Sequence, residues 1–283
     1  MSATGLAADV AAVLAEPDVL RKIAAADALC EAARRGALDP RFERGAPQRP
    51  ARPARVVVTG SLATRRRADL CDARGRRSLI HAVAHIELCA IELALLAVAD
   101  FPGEEADYYR DMLAIAGEEA LHARLLLARL HELGGELGEE PLHLGLWETA
   151  IRFPELPDRL AIVPRVLEAK GLDVSAKLRH ELRAAGDEAS AALLDRVYRD
   201  EIGHVAIGTR WHRVACARRG LDAERHFLAL ARPLRPRRSA PPPLDRAGRL
   251  AAGFSERELD GLAEPADAVD RADTVDAAER TPR

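Results

Sequence analysis

From Ser78 to about Gly220, apolar residues return every three or four positions, which is the period of amphipathic helices and not the alternation of strands. Ser78 suits the N-cap of a helix through Ala99, which Phe101, Pro102 and Gly103 end. A second long helix is predicted from about Glu104, whose acidic first turn complements the positive end of the helix dipole, to a stop at Gly134 and Gly135. Glu136 to Pro157 holds Gly138, Pro141, Gly145, Pro154 and Pro157 and reads as a long connection. A third helix is predicted from near Asp158 to Gly171, accepting Pro164 in its early turns, and a shorter one spans about Val174 to Ala185. The last long helix runs from Asp187 to about Arg219 and is closed by Gly220.

Outside this region the pattern changes. Gly5 to Gly36 is rich in helix formers and predicts two short helices, with Pro17 opening the second. Pro40, Pro47, Pro50 and Pro53 lie among arginines and favour an extended strap. Val56 to Val58 is the one plausible strand, too isolated to make a sheet. Pro233, Pro236 and Pro241 to Pro243 mark a second linker, and the acidic, Ala-rich end after Gly261 predicts poor order. The expected organisation is N-terminal helices and strap over 1–60, an all-α four-helix bundle over 61–220, and a partly disordered C-terminal extension over 221–283. The long connection after the second long helix resembles the crossover of some four-helix bundles.

Composition narrows the function classes. With 42 Lys and Arg against 45 Asp and Glu, the formal charge is −3, so the chain as a whole has no strong pull toward nucleic acid or an anionic membrane. Its oiliest stretch, Ile80 to Val98, is interrupted by His81, His85, Glu87 and Glu92, so no membrane span is expected. The first residues lack a secretory pattern, and the default location is the cytoplasm. Cys30, Cys71, Cys89 and Cys216 have no paired spacing and read as small buried or idle thiols. No phosphate-loop, dinucleotide or hydrolase-elbow motif is present.

Two short motifs carry the candidate chemistry. Glu119-Ala-Leu-His122 and Glu201-Ile-Gly-His204 each put a carboxylate and an imidazole on one helix face, where both can bind one metal ion. Each motif follows a glutamate set in an apolar helical stretch: Glu87 lies 32 residues before Glu119, and Glu168 lies 33 before Glu201. Positions roughly 30 residues apart return to one height on two antiparallel helices, at about 1.5 Å rise per residue. The layout is that of dimetal carboxylate bundles, with one Glu from each of two helices and a Glu-x-x-His from each of the other two. Four buried carboxylates demand compensating positive charge, which two divalent metals would supply. Mixed oxygen and nitrogen donors favour iron or manganese over zinc.

These residues resemble the ferritin-like superfamily of diiron-carboxylate proteins over roughly Ser78 to Gly220. More narrowly, His81-Ala-Val-Ala-His85-Ile-Glu87, Gly117-Glu-Glu-Ala-Leu-His122, Leu167-Glu-Ala-Lys-Gly-Leu-Asp173 and Asp200-Glu-Ile-Gly-His-Val205 are similar to an uncharacterised, mostly bacterial ferritin-like family known as a domain of unknown function. The resemblance implies the bundle and a metal site made by Glu87, Glu119, His122, Glu168, Glu201 and His204. The metal pair would be Fe/Fe, or Mn/Fe in the alternative. The N-terminal extension and broken third helix depart from ferritin cages.

The expected activity is that of a non-haem diiron oxidoreductase that activates O₂ to oxidise or hydroxylate an unknown small-molecule substrate, with electrons from a separate reductase. Alternatives are a tRNA-modifying hydroxylase, and a ferroxidase-like metal-binding protein or non-catalytic helical scaffold. Arg210 to Arg238 carries nine arginines against Asp222 and Glu224 and is the one segment suited to nucleic acid.

Several residues have competitors at this stage. Glu92 shares the first long helix with Glu87 but points about 140° away, so only one of them can face a given site. Glu118 competes with Glu119 as the partner of His122. His81 and His85 would either orient a ligand carboxylate or pack between helices, and Tyr109, like Tyr108, would lie near the metals or in the core. Arg165 and Arg179 are read as surface arginines, with neutralisation of ligand carboxylates as the alternative.

Overall fold

In the computed structural model the described residues are 5–36, 49–54, 56–59, 69–234 and 243–263. They are mostly helical. The elements are α1 (Gly5–Ala15), α2 (Val19–Arg34), β1 (Val58–Thr59), α3 (Ala73–Asp100), α4 (Ala106–Glu132), β2 (Leu142–His143), α5 (Gly145–Ala150), α6 (Leu156–Ile162), a π-helical segment (Val163–Glu168), α7 (Ala169–Ala184), α8 (Glu188–Arg218), α9 (Ala223–Ala231), a 3₁₀ turn (Arg232–Leu234), α10 (Arg246–Ala251) and α11 (Glu256–Ala263). Most of the Pro-rich strap, the Arg235 to Pro242 part of the second linker and the tail beyond Ala263 lie outside the described residues.

The chain divides into two compact units. One comprises Met1–Pro154 and Ser175–Asp200, the other Glu155–Val174 and Glu201–Arg283, so the boundaries fall inside α7 and α8.

In the first unit α3 and α4 pack together across a short turn. The Tyr109 hydroxyl donates to the Phe101 carbonyl and accepts from the Glu104 amide, both at 2.9 Å, and so ties that turn. Ile80, Ala84, Leu126, Leu130, Leu182, Ala191 and Leu194 form a buried cluster. Truncating one of its leucines to alanine should cost about 2–5 kcal/mol. Helix α2 approaches α4 closely because a Cβ on Gly117 would stand 3.2 Å from the Cys30 Cβ. Gly134, at φ +74, ends α4 as its sequence predicts, with the Gly135 amide donating back to Leu130.

Helix α3 begins at Ala73, five residues before the predicted Ser78, because Asp72 caps it by accepting from the Arg74 amide. The strand expected to stand alone does pair, through Val58↔Leu142 and Thr59↔His143 in a two-residue parallel ladder. By length and composition α3 could cross a membrane, yet 83% of its most apolar window is buried. It is the central core helix of its unit.

The second unit is built on α6, the π segment, the start of α7, the later part of α8, and α9 to α11. The expected stop at Gly171 does not occur, since α7 continues through it to Ala184. Pro164 lacks an amide proton, and the chain widens into π geometry around it without breaking. A Cβ on Gly208 would fall 2.3 Å from the Pro164 ring, so this glycine is what lets α8 lie against the π segment.

Arg165, expected at the surface, is fully buried. It donates to the Glu258 carboxylate at 2.7 Å and stacks over Phe227 at 4.0 Å. A carboxylate and two aromatic faces make that burial tolerable. Arg249 fastens α10 to Asp173 at 2.7 and 2.9 Å. Helices α9 to α11 thus pack against the π segment and the start of α7.

Candidate metal centre

Glu87 on α3 and Glu119 and His122 on α4 converge in the first unit. The i, i+3 spacing puts Glu119 and His122 on the buried face of α4, and Glu118 falls on the exposed face. One ligand atom from each of the three lies within 4.8 Å of the others. His122 Nδ1 is 3.2 Å from Glu87 Oε2 and 3.4 Å from Glu119 Oε2, and Nε2 is 2.9 Å from Asp200 Oδ2. Glu87, Glu119 and His122 are all buried, while the Asp200 side chain is 31% exposed.

Asp200 was missed in the sequence, although it directly precedes the second Glu-x-x-His motif. It fixes which nitrogen of His122 faces the carboxylates: Nε2–H donates to Asp200, leaving Nδ1 toward Glu87 and Glu119.

Burial, and then the neighbouring Glu119, push the Glu87 carboxyl up to about 8. For His122 burial works downward, but hydrogen bonds to Glu119 and Glu87 overcome it and raise the imidazole to about 11. Protons on Glu87 and His122 thus offset charge at the cluster. A divalent cation can take their place, and the set of two carboxylate oxygens and one imidazole nitrogen suits iron or manganese. The residues of the first unit fit such an ion.

Glu92, the competitor of Glu87, is used elsewhere. Lys22 Nζ lies 2.5 Å from Glu92 Oε1, and Arg52 grips the same carboxylate with both terminal nitrogens. His81 and His85 serve the connection after α4. His81 Nε2 accepts from the Gly138 amide at 3.0 Å, and His85 Nε2 lies 2.9 Å from the His143 carbonyl oxygen. Burial and the nearby His143 push His85 down to about 3, so its ring is neutral.

Glu168, Glu201 and His204 belong to the second unit. Glu168 is the last residue of the π segment, and Glu201 and His204 share a buried face of α8, with His204 Nδ1 3.9 Å from Glu201 Oε2. Each unit thus holds one glutamate and one Glu-x-x-His motif of the sequence repeat.

Arginines of the basic segment are engaged within the protein. Arg213 donates to the Gly253 carbonyl and Arg232 to that of Gly261, and Arg219 pairs with Glu155 at 2.7 Å. Arg179 pairs with Asp195 at 2.7 Å and stacks on Tyr198.

A helical protein with a buried carboxylate and histidine cluster is the class that these features define. Residues 15–260 match the family described as protein of unknown function (DUF455), and the chain belongs to that family. An uncharacterized protein of Haemophilus influenzae is 38% identical over 198 residues, covering 67% of this chain and 68% of its own. No solved structure matches the chain.

Proposed function

We propose that the protein is a ferritin-like dimetal carboxylate oxidoreductase, with Glu87, Glu119 and His122 as one half of its ligand set and Glu168, Glu201 and His204 as the other. The observation that carries this reading is the buried Glu87–Glu119–His122 set, in which two carboxylates and an imidazole bring their ligand atoms within 4.8 Å of one another. The sequence repeat supports the second half. A reduced iron pair, or an iron and manganese pair, supplies the electrons and open positions needed to react with O₂.

The chain's own residues do the rest. Glu87 and Glu119 would bind through oxygen, and the Glu87 carboxyl proton and the Nδ1 proton of His122 would leave to solvent as the cation enters. His122 binds through Nδ1, and Asp200 holds its Nε2 proton and keeps the ring in place. The apolar faces of α3 and α4 keep water from the ligands. The substrate is a small organic molecule or iron itself, and a separate reductase provides electrons.

Elemental analysis of protein grown with ample iron and manganese tests the reading against a Glu119→Ala/Glu201→Ala double variant. About two ions of iron or manganese per chain in the parent, largely lost in the variant, are expected. A parent free of both metals that also fails to bind Fe²⁺ anaerobically would leave a helical scaffold. Fe²⁺ oxidation in air without consumption of an added reductant would favour the ferroxidase form.

A further inference from the structure

We propose a second metal site, separate in residues from the carboxylate set: His212, Cys216 and His226 in the second unit hold a borderline-soft divalent cation, Zn²⁺ by the chemistry of its donors. His212 and Cys216 stand at i, i+4 on one face of α8. The chain then turns at Gly220, at φ +65, and Asp222 caps α9 by accepting from the Arg225 amide, which returns His226 to the same place. Ligand atoms of the three residues lie within 4.8 Å of one another, and His212 and Cys216 are fully buried.

The distances suit a small tetrahedral ion. His212 Nε2 is 3.1 Å from His226 Nδ1 and 3.4 Å from Cys216 Sγ. Metal bonds of about 2.0–2.1 Å to nitrogen and 2.3 Å to sulfur would separate such donors by about 3.4 and 3.6 Å. His226 is already oriented for the task, because its Nε2 lies 2.9 Å from Asp158 Oδ1, as in a carboxylate–histidine–metal arrangement. The Cys216 thiol gives up its proton to solvent on binding, and the thiolate together with Asp158 offsets the two positive charges. Thiolate and imidazole are softer than the carboxylates around Glu87, which separates the two sites in metal preference.

One contact must open. Arg165 Nη1 lies 3.0 Å from His212 Nδ1, the nitrogen that carries the ring proton once Nε2 binds a metal. Arg165 keeps Glu258 and the Phe227 ring, so releasing His212 leaves its charge paired. Without a metal the same atoms form a plain hydrogen-bonded chain: Arg165 donates to His212, His212 to His226, and His226 to Asp158.

Titration of the metal-stripped full chain with Co²⁺ as a probe decides between the two. A thiolate-to-cobalt charge-transfer absorption saturating at about one Co²⁺ per chain is expected, displaced by Zn²⁺. It should vanish in Cys216→Ser, persist in Glu119→Ala, and need about 10- to 100-fold more Co²⁺ in Asp158→Asn. If Cys216→Ser does not fold, His226→Gln takes its place and must weaken binding at least tenfold. An absent thiolate band in the parent, or a band that survives Cys216→Ser through the exposed Cys71, would overturn the proposal and leave the hydrogen-bonded chain.

Discussion

Helix α3 carries two buried glutamates five positions apart, Glu87 and Glu92, whose surroundings differ in kind. Glu92 meets two fixed cations, Lys22 and Arg52, brought by α2 and by the strap before β1. Glu87 meets another carboxylate and an imidazole. A buried carboxylate with built-in cations is a structural clamp, complete as folded. A buried carboxylate pair beside an imidazole is a set that a cation from solution could join. The difference explains why residues of the same type, equally buried on the same helix, take separate roles.

The comparison is broken most strongly at the clamp. Glu92→Ala leaves Lys22 and Arg52 buried beside each other, and stability should fall by about 3–5 kcal/mol with or without metal, measured by denaturant unfolding. At the other pole the effect depends on metal. Anaerobic Fe²⁺ at about 100 times its dissociation constant should stabilise the parent by about 2.7 kcal/mol, and the increment should disappear in Glu119→Ala.

Asp200→Asn should weaken Fe²⁺ binding by about 10- to 100-fold while leaving metal-free unfolding nearly unchanged. Asp187 sharpens the contrast as a second carboxylate with a fixed cation. It accepts from Arg129 at 2.8 Å and from the Ser190 amide at 3.0 Å. Burial works upward on its carboxyl, but Ser190 and Arg129 win and hold it below the usual 3.8. Because the folded value is depressed, its contribution is present above about pH 4 and is lost as pH falls through the folded value. Asp187→Asn should therefore cost about 0.2–1 kcal/mol near neutral pH, and unfolding curves of variant and parent should converge in acid.

The parts of this picture legible in the sequence are those set by local spacing. The helical period placed α4 and α8 within a few residues, and the parallel with Glu201 and His204 favoured Glu119 over Glu118, which the burial of Glu119 and the exposure of Glu118 match. Repeat spacing pointed to Glu87, but it could not say why Glu92 was different, because the answer lies 70 residues away in Lys22 and 40 away in Arg52. Asp200 was hidden for the same reason: its bond to His122 spans 78 residues.

Pro164 was expected to fit an ordinary helix, whereas the backbone widens there, a response that composition does not announce. Arg165 was expected in solvent because its partners, Glu258 and Phe227, stand far along the chain. Cys216 was read as a small buried or idle thiol, and it is buried; its i, i+4 relation to His212 was visible. What could not be read was the turn that brings His226 back to them.

Anaerobic titration of the metal-stripped full chain with Fe²⁺, with Glu119→Ala and Cys216→Ser alongside, tests the central claim most directly. The account predicts saturable Fe²⁺ binding in the parent and in Cys216→Ser, and its loss in Glu119→Ala. Binding of equal strength in Glu119→Ala, or none in the parent, would contradict it.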